Sequence, residues 1–141
     1  MTSRTSPHVL VVEDDPLTRR MLGVLLASAG ITSTTAADGL EATSYAATDR
    51  FDLVITDFSM PERNGVELIR TLRHRLGGVP VLMISAYPES EIRKEGLDDA
   101  GVEFVAKPFR TADLLAKVRA ALAGAASGAD TPEGPPAGTV R

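Results

Sequence analysis

The chain has 141 residues, 43% of them hydrophobic and 24% charged, with a net charge of −4 and no cysteine. This is one globular domain, long enough for a real core, and it excludes disulfides, thiolate catalysis and cysteine-ligated zinc. The acidic balance, with no basic stripe or arginine-rich arm, argues against nucleic acid as a partner.

Residues 1–7 form an N-terminal extension without an apolar leader core. No apolar run approaches membrane-spanning length, so a cytoplasmic protein without a membrane partner is expected. Five short apolar runs have strand character: 8–12, 31–36, 53–56, 81–85 and 103–106. Most are continuous rather than alternating, which suits strands covered on both faces.

Helical patterns separate the strands. Leu17, Met21, Leu22 and Leu25 form the first stripe, which ends near Gly30 as a C-cap. An alanine-rich helix is expected over 39–48. Val66, Ile69 and Leu72 mark a third that stops at Gly77 and Gly78, and 89–100 is a fourth with little apolar material beyond Ile92 and Leu97. Leu115, Val118 and Leu122 mark the fifth. Five alternations predict an α/β fold: a flavodoxin-like (βα)5 three-layer sandwich on a parallel sheet of order 2-1-3-4-5, spanning 8–123. Residues 124–141, dominated by Gly, Pro, Ala, Ser and Thr, read as a disordered tail or a truncated linker. Arg19 and Arg20, with Arg70, Arg73 and Arg75, read as solvated helix faces.

In such a sheet the ligand crevice opens at the carboxyl ends of the strands, where the strand order reverses between strands 1 and 3. The first strand runs into Glu13, Asp14 and Asp15, and the third into Asp57. Carboxylates gathered there repel one another unless a cation sits among them, and all-oxygen donors select Mg²⁺ or Mn²⁺. Asp15 precedes Pro16 and is equally suited to capping the first helix. A carboxylate such as Asp57 can attack a phosphoryl group to give an acyl phosphate. Lys107, after the fifth strand, can neutralise the phosphoryl oxygens as a point charge, and Ser85, after the fourth, can donate from its hydroxyl. Pro108 fixes the turn after Lys107. His8 and His74 have neither the flanking nor the placement of a phosphodonor or metal ligand.

Through VLVVEDD, DLVITDFSMP, PVLMISA and FVAKPF the chain resembles, over about residues 7–123, the receiver domain of two-component response regulators, chemotaxis-regulator-like. The resemblance implies Asp57 as phosphoacceptor, Glu13 and Asp14 as the acidic pair with Asp14 the direct metal ligand, and Ser59 supplying a main-chain carbonyl to the metal. It makes Ser85 the hydroxyl switch beside Lys107 and Phe104 the aromatic partner that moves with it. Ser59 and Tyr87 flank the path of the attacking water and would tune dephosphorylation.

The implied activity is Mg²⁺-dependent transfer from a histidine kinase or histidine phosphotransfer protein to Asp57, with self-dephosphorylation rather than enzymatic turnover of a substrate. A change of partner binding would follow through the helix 4–strand 5–helix 5 face. The expected form is a stand-alone receiver, a monomer or weak phosphorylation-dependent dimer acting on a downstream effector protein. A receiver excised from a hybrid histidine kinase is the alternative. A Mg²⁺-dependent aspartyl-phosphate phosphatase of the haloacid dehalogenase type would take its nucleophile from the first strand, where Glu13-Asp14-Asp15 is poorly arranged for it. A degenerate receiver acting only as a docking surface conflicts with the set Asp14, Asp57, Ser85 and Lys107.

Overall fold

The computed structural model describes residues 7–57, 65–94 and 101–130. Strand and helix alternate as β1 (His8–Val12), α1 (Pro16–Ser28), β2 (Thr32–Ala36), α2 (Gly39–Thr48) and β3 (Leu53–Asp57), then α3 (Gly65–Arg75), β4 (Val81–Ser85), α4 (Glu89–Lys94), β5 (Val102–Ala106) and α5 (Thr111–Asp130). The five strands pair in parallel in the order β2-β1-β3-β4-β5, the flavodoxin-like arrangement expected from the alternation.

The continuous apolar strands divide their side chains between two cores because successive residues point to opposite faces. Leu10, Val12, Val54, Val81, Met83 and Val102 meet Ala42, Ala46, Leu68, Leu72 and Ile92 on the side of α2, α3 and α4. Val9, Val11, Leu53, Ile55, Leu82, Ile84 and Val105 meet Leu22, Leu26, Leu114 and Val118 on the side of α1 and α5. β2, with sequence TSTTA, is the polar edge strand and only its Ala36 is buried.

Several boundaries differ from the sequence expectation. β2 begins one residue late because the Ile31 N–H turns back to the Leu26 carbonyl (2.9 Å) at the end of α1. Gly30, at φ 79°, makes that turn in the left-handed region open to glycine. β3 runs one residue further, to Asp57, which pairs with Ile84. α5 continues to Asp130, past the point where composition places the start of a tail. Alanines at 120, 121, 123, 125 and 126 favour helix even where little apolar surface is available. Residues 131–141, and the part of the expected fourth helix over 95–100, lie outside the described residues. No helix among the described residues is long and apolar enough to cross a membrane.

Leu72 is fully buried against the sheet between α3 and its neighbours. Leu72→Ala should cost about 2–5 kcal/mol of unfolding free energy in urea denaturation; a loss below about 1 kcal/mol would contradict this packing.

Candidate functional site

The carboxyl edge of the sheet is where the hydrophobic layers end and polar side chains become possible. The parallel register brings its strand ends level: Val12 pairs with Thr56, Asp57 with Ile84, and Ser85 with Ala106. The Lys107 N–H continues that edge by donating to the Ser85 carbonyl at 2.9 Å.

Glu13, Asp14 and Asp57 converge there, offering one carboxylate oxygen each within 4.8 Å of one another. Glu13 and Asp57 are buried and Asp14 is exposed. Lys107 Nζ donates to Asp57 Oδ2 at 2.9 Å and stands 3.9 Å from Glu13 Oε1. The peptide bond between Lys107 and Pro108 is cis. Three hard oxygen acids facing one ammonium leave a surplus of negative charge, and that donor set fits Mg²⁺ or Mn²⁺ and not a softer metal.

The charges shift one another. Burial pushes the Glu13 carboxyl up from 4.5 to about 7; the hydrogen bond from the Asp15 N–H opposes this, and the negative charge of Asp57 reinforces it. Burial disfavours the Lys107 cation, but the hydrogen bond and charge of Asp57, aided by Glu13 and Asp14, outweigh it and hold its pKa above the ordinary lysine value.

Asp15 takes the capping role. Its Oδ2 accepts from the Thr18 N–H at 3.0 Å and from the Thr18 hydroxyl at 2.6 Å, which pulls its carboxyl below the usual range. Its N–H in turn donates to Glu13 Oε2 at 3.1 Å.

Ser85 is buried at the end of β4, where its Oγ accepts from the Tyr87 N–H at 2.8 Å. Tyr87 itself is 54% exposed. Phe104 pairs with Met83 across the β4–β5 ladder, packs half-buried against the α2–α3–α4 core, and carries the Arg93 guanidinium 5.0 Å above its ring centroid. Ser59 lies outside the described residues. The structure therefore brings Glu13, Asp14, Asp57 and Lys107 into one cluster and sets Ser85 on the adjacent strand end, with Phe104 one layer below.

One residue outside the acidic cluster matches its sequence reading and another does not. His8 spans the amino end of the sheet, its Nε2 2.8 Å from the Thr34 hydroxyl and its ring 4.8 Å from Phe51, a structural role as expected. Arg19, read as part of a solvated face, instead reaches back to the acidic turn, donating from Nη1 to the Glu13 carbonyl at 2.9 Å. Its position one helical turn after the cap Asp15 was the available signal.

A family model described as the response regulator receiver domain matches residues 9–119. The transcriptional regulatory protein PrrA of Mycobacterium tuberculosis is 38% identical over 121 residues, covering 86% of this chain and 52% of PrrA. The chain spans about half the length of the curated relatives it matches. Among solved structures, the chemotaxis protein CheY4 of Vibrio cholerae is similar at TM-score 0.77 and 32% identity, covering 83% of this chain and 99% of that one. The receiver domain of the hybrid histidine kinase CckA is similar at TM-score 0.71 and 33% identity, with 82% and 98% covered.

Glu13→Gln removes the buried charge and keeps an oxygen for the Asp15 N–H. Because the folded pKa of Glu13 lies above 4.5, the stability it contributes is present below 4.5 and is lost as the pH rises through about 7. In metal-free buffer the urea midpoint of Glu13→Gln should therefore gain on wild type between about pH 5 and about pH 8. A difference that stays flat across that range would contradict the burial of this charge.

Proposed function

Because the chain belongs to the response regulator receiver family, we propose that it is a phosphorylation-dependent switch that accepts a phosphoryl group on Asp57. The observation that carries this reading is the Lys107–Asp57 contact at 2.9 Å inside the acidic cluster of Glu13, Asp14 and Asp57. The donor is the phosphohistidine of a histidine kinase or histidine phosphotransfer protein.

A carboxylate oxygen of Asp57 attacks phosphorus and the P–N bond to the donor imidazole breaks. The bonding pair stays on the imidazole nitrogen, which takes up a proton from solvent, and an acyl phosphate remains. Lys107 orients the acceptor by holding Oδ2 and supplies positive charge to the transferring oxygens. Glu13, Asp14 and Asp57, with the main-chain carbonyl of Ser59, would hold Mg²⁺ or Mn²⁺, which when bound supplies the remaining neutralising charge. The Ser85 hydroxyl, whose oxygen accepts from the Tyr87 N–H, keeps its proton to donate to a phosphoryl oxygen. Return to the ground state is attack of water on phosphorus, breaking the P–O bond to Asp57 and releasing inorganic phosphate.

The readout runs through α4, β5 and α5. Movement of Ser85 toward the phosphoryl group would free space that the Phe104 ring takes up, shifting the face that carries Ala86, Tyr87 and Phe104, with Val105 buried beneath it, and its affinity for an effector protein. PrrA is a transcriptional regulatory protein and CckA a hybrid histidine kinase; both whole-protein settings, like a stand-alone receiver, suit the same switch.

Incubation with acetyl phosphate and Mg²⁺ should add one phosphoryl group to the intact mass, in a hydroxylamine-sensitive form lost in Asp57→Asn. Labelling that persists in Asp57→Asn would overturn the site, and repeated turnover of a phosphomonoester would point to a phosphatase instead. Lys107→Ala should slow labelling on the order of a hundredfold. Tyr87, exposed beside the site, partly screens the attacking water, so Tyr87→Ala should shorten the life of the acyl phosphate; an unchanged or longer life would refute that screening.

A further inference from the structure

We propose that Arg19 is the positioning residue for the acidic turn, fixing the peptide planes from which Glu13 and Asp14 project. This rests on the reading of Glu13, Asp14 and Asp57 as the metal acids. The β1 ladder ends at Val12, and the last contact of this strand with β2 is the Glu13 N–H to the Ala36 carbonyl at 3.0 Å. Beyond that point the chain must turn into α1 while three consecutive carbonyls leave the sheet.

The Arg19 side chain takes the first two, and the third accepts the first backbone bond of α1. Arg19 Nη1 donates to the Glu13 carbonyl at 2.9 Å and to the Asp14 carbonyl at 3.4 Å, and the Arg19 backbone N–H donates to the Asp15 carbonyl at 2.9 Å. One half-buried side chain thus pins two successive peptide units, next to the one that the helix itself holds.

The consequence lies in the side-chain directions. With the carbonyls of 13 and 14 drawn toward α1, their Cα–Cβ bonds keep a fixed direction. The Glu13 carboxylate is further tied by the Asp15 N–H. A cation site demands this, because its acids repel one another and would splay if the turn were free. A planar guanidinium on a stem anchored by its own helix suits the task better than an ammonium, which donates as a point with no fixed fork. Residues that orient metal ligands without touching the metal influence affinity through geometry.

The test is a Mg²⁺ titration of ¹⁵N-labelled wild type, Arg19→Ala and Arg19→Lys, with amide exchange at Asp15 and the urea midpoint measured metal-free. Arg19→Ala should raise the Mg²⁺ Kd on the order of tenfold and speed exchange at Asp15. Arg19→Lys, which keeps the charge but not the fork, should fall between. A fall in urea midpoint with wild-type Kd and wild-type exchange would mark Arg19 as an ordinary helix residue and overturn the proposal. Should Arg19→Ala fail to fold, a wild-type Kd in Arg19→Lys would overturn it equally. Should wild type itself bind no Mg²⁺, the metal reading falls and exchange at Asp15 alone decides the role of Arg19, unchanged exchange overturning it.

Discussion

An ammonium and a carboxylate 50 residues apart in sequence sit 2.9 Å apart at the edge of the sheet, with a second buried acid 3.9 Å from the same nitrogen. Taking such charges out of water is costly unless each finds a partner, and removing one partner leaves the other buried and uncompensated. Lys107 therefore holds Asp57 and Glu13 as much as they hold Lys107. The rest of the domain is the framework that makes the encounter possible. Parallel pairing sets the ends of β1, β3, β4 and β5 level, and cores on both faces leave that edge as the natural place for polar side chains.

The surplus of negative charge gives the site its chemistry. One lysine faces three acids, and the upward shift of Glu13 shows that the fold tolerates its ionised form with difficulty. A hard divalent cation relieves that repulsion, and an incoming phosphoryl group brings oxygens that need the same neutralisation. Ser85 ends β4 and Phe104 lies one layer below it on the neighbouring β5, the two positions that the proposed switch would use.

The fold was legible because its pattern is strong: five continuous apolar strands alternating with helices admit few arrangements in a chain of this length. The placement of Glu13, Asp14, Asp57, Ser85 and Lys107 was legible for the same reason, since each ends or follows a strand and so arrives at one edge. What escaped was local. Composition places a tail at 124 because larger apolar side chains are scarce there, yet alanine propensity carries α5 to Asp130. The sequence suits Asp15 equally to cap and metal, and the Thr18 contacts make it the cap. Arg19 reads as solvated in the sequence because helical periodicity shows which face a residue occupies, not that a long side chain folds back to carbonyls of the preceding turn.

The convergence of the three acids on one cation is tested most directly by urea denaturation at about pH 8, with and without millimolar Mg²⁺, in wild type and Asp14→Asn. Mg²⁺ should raise the wild-type midpoint in a saturable way, since a ligand bound only by the folded state stabilises it, and should do so far less in Asp14→Asn. Equal stabilisation of the two proteins, or none in wild type, would contradict the account.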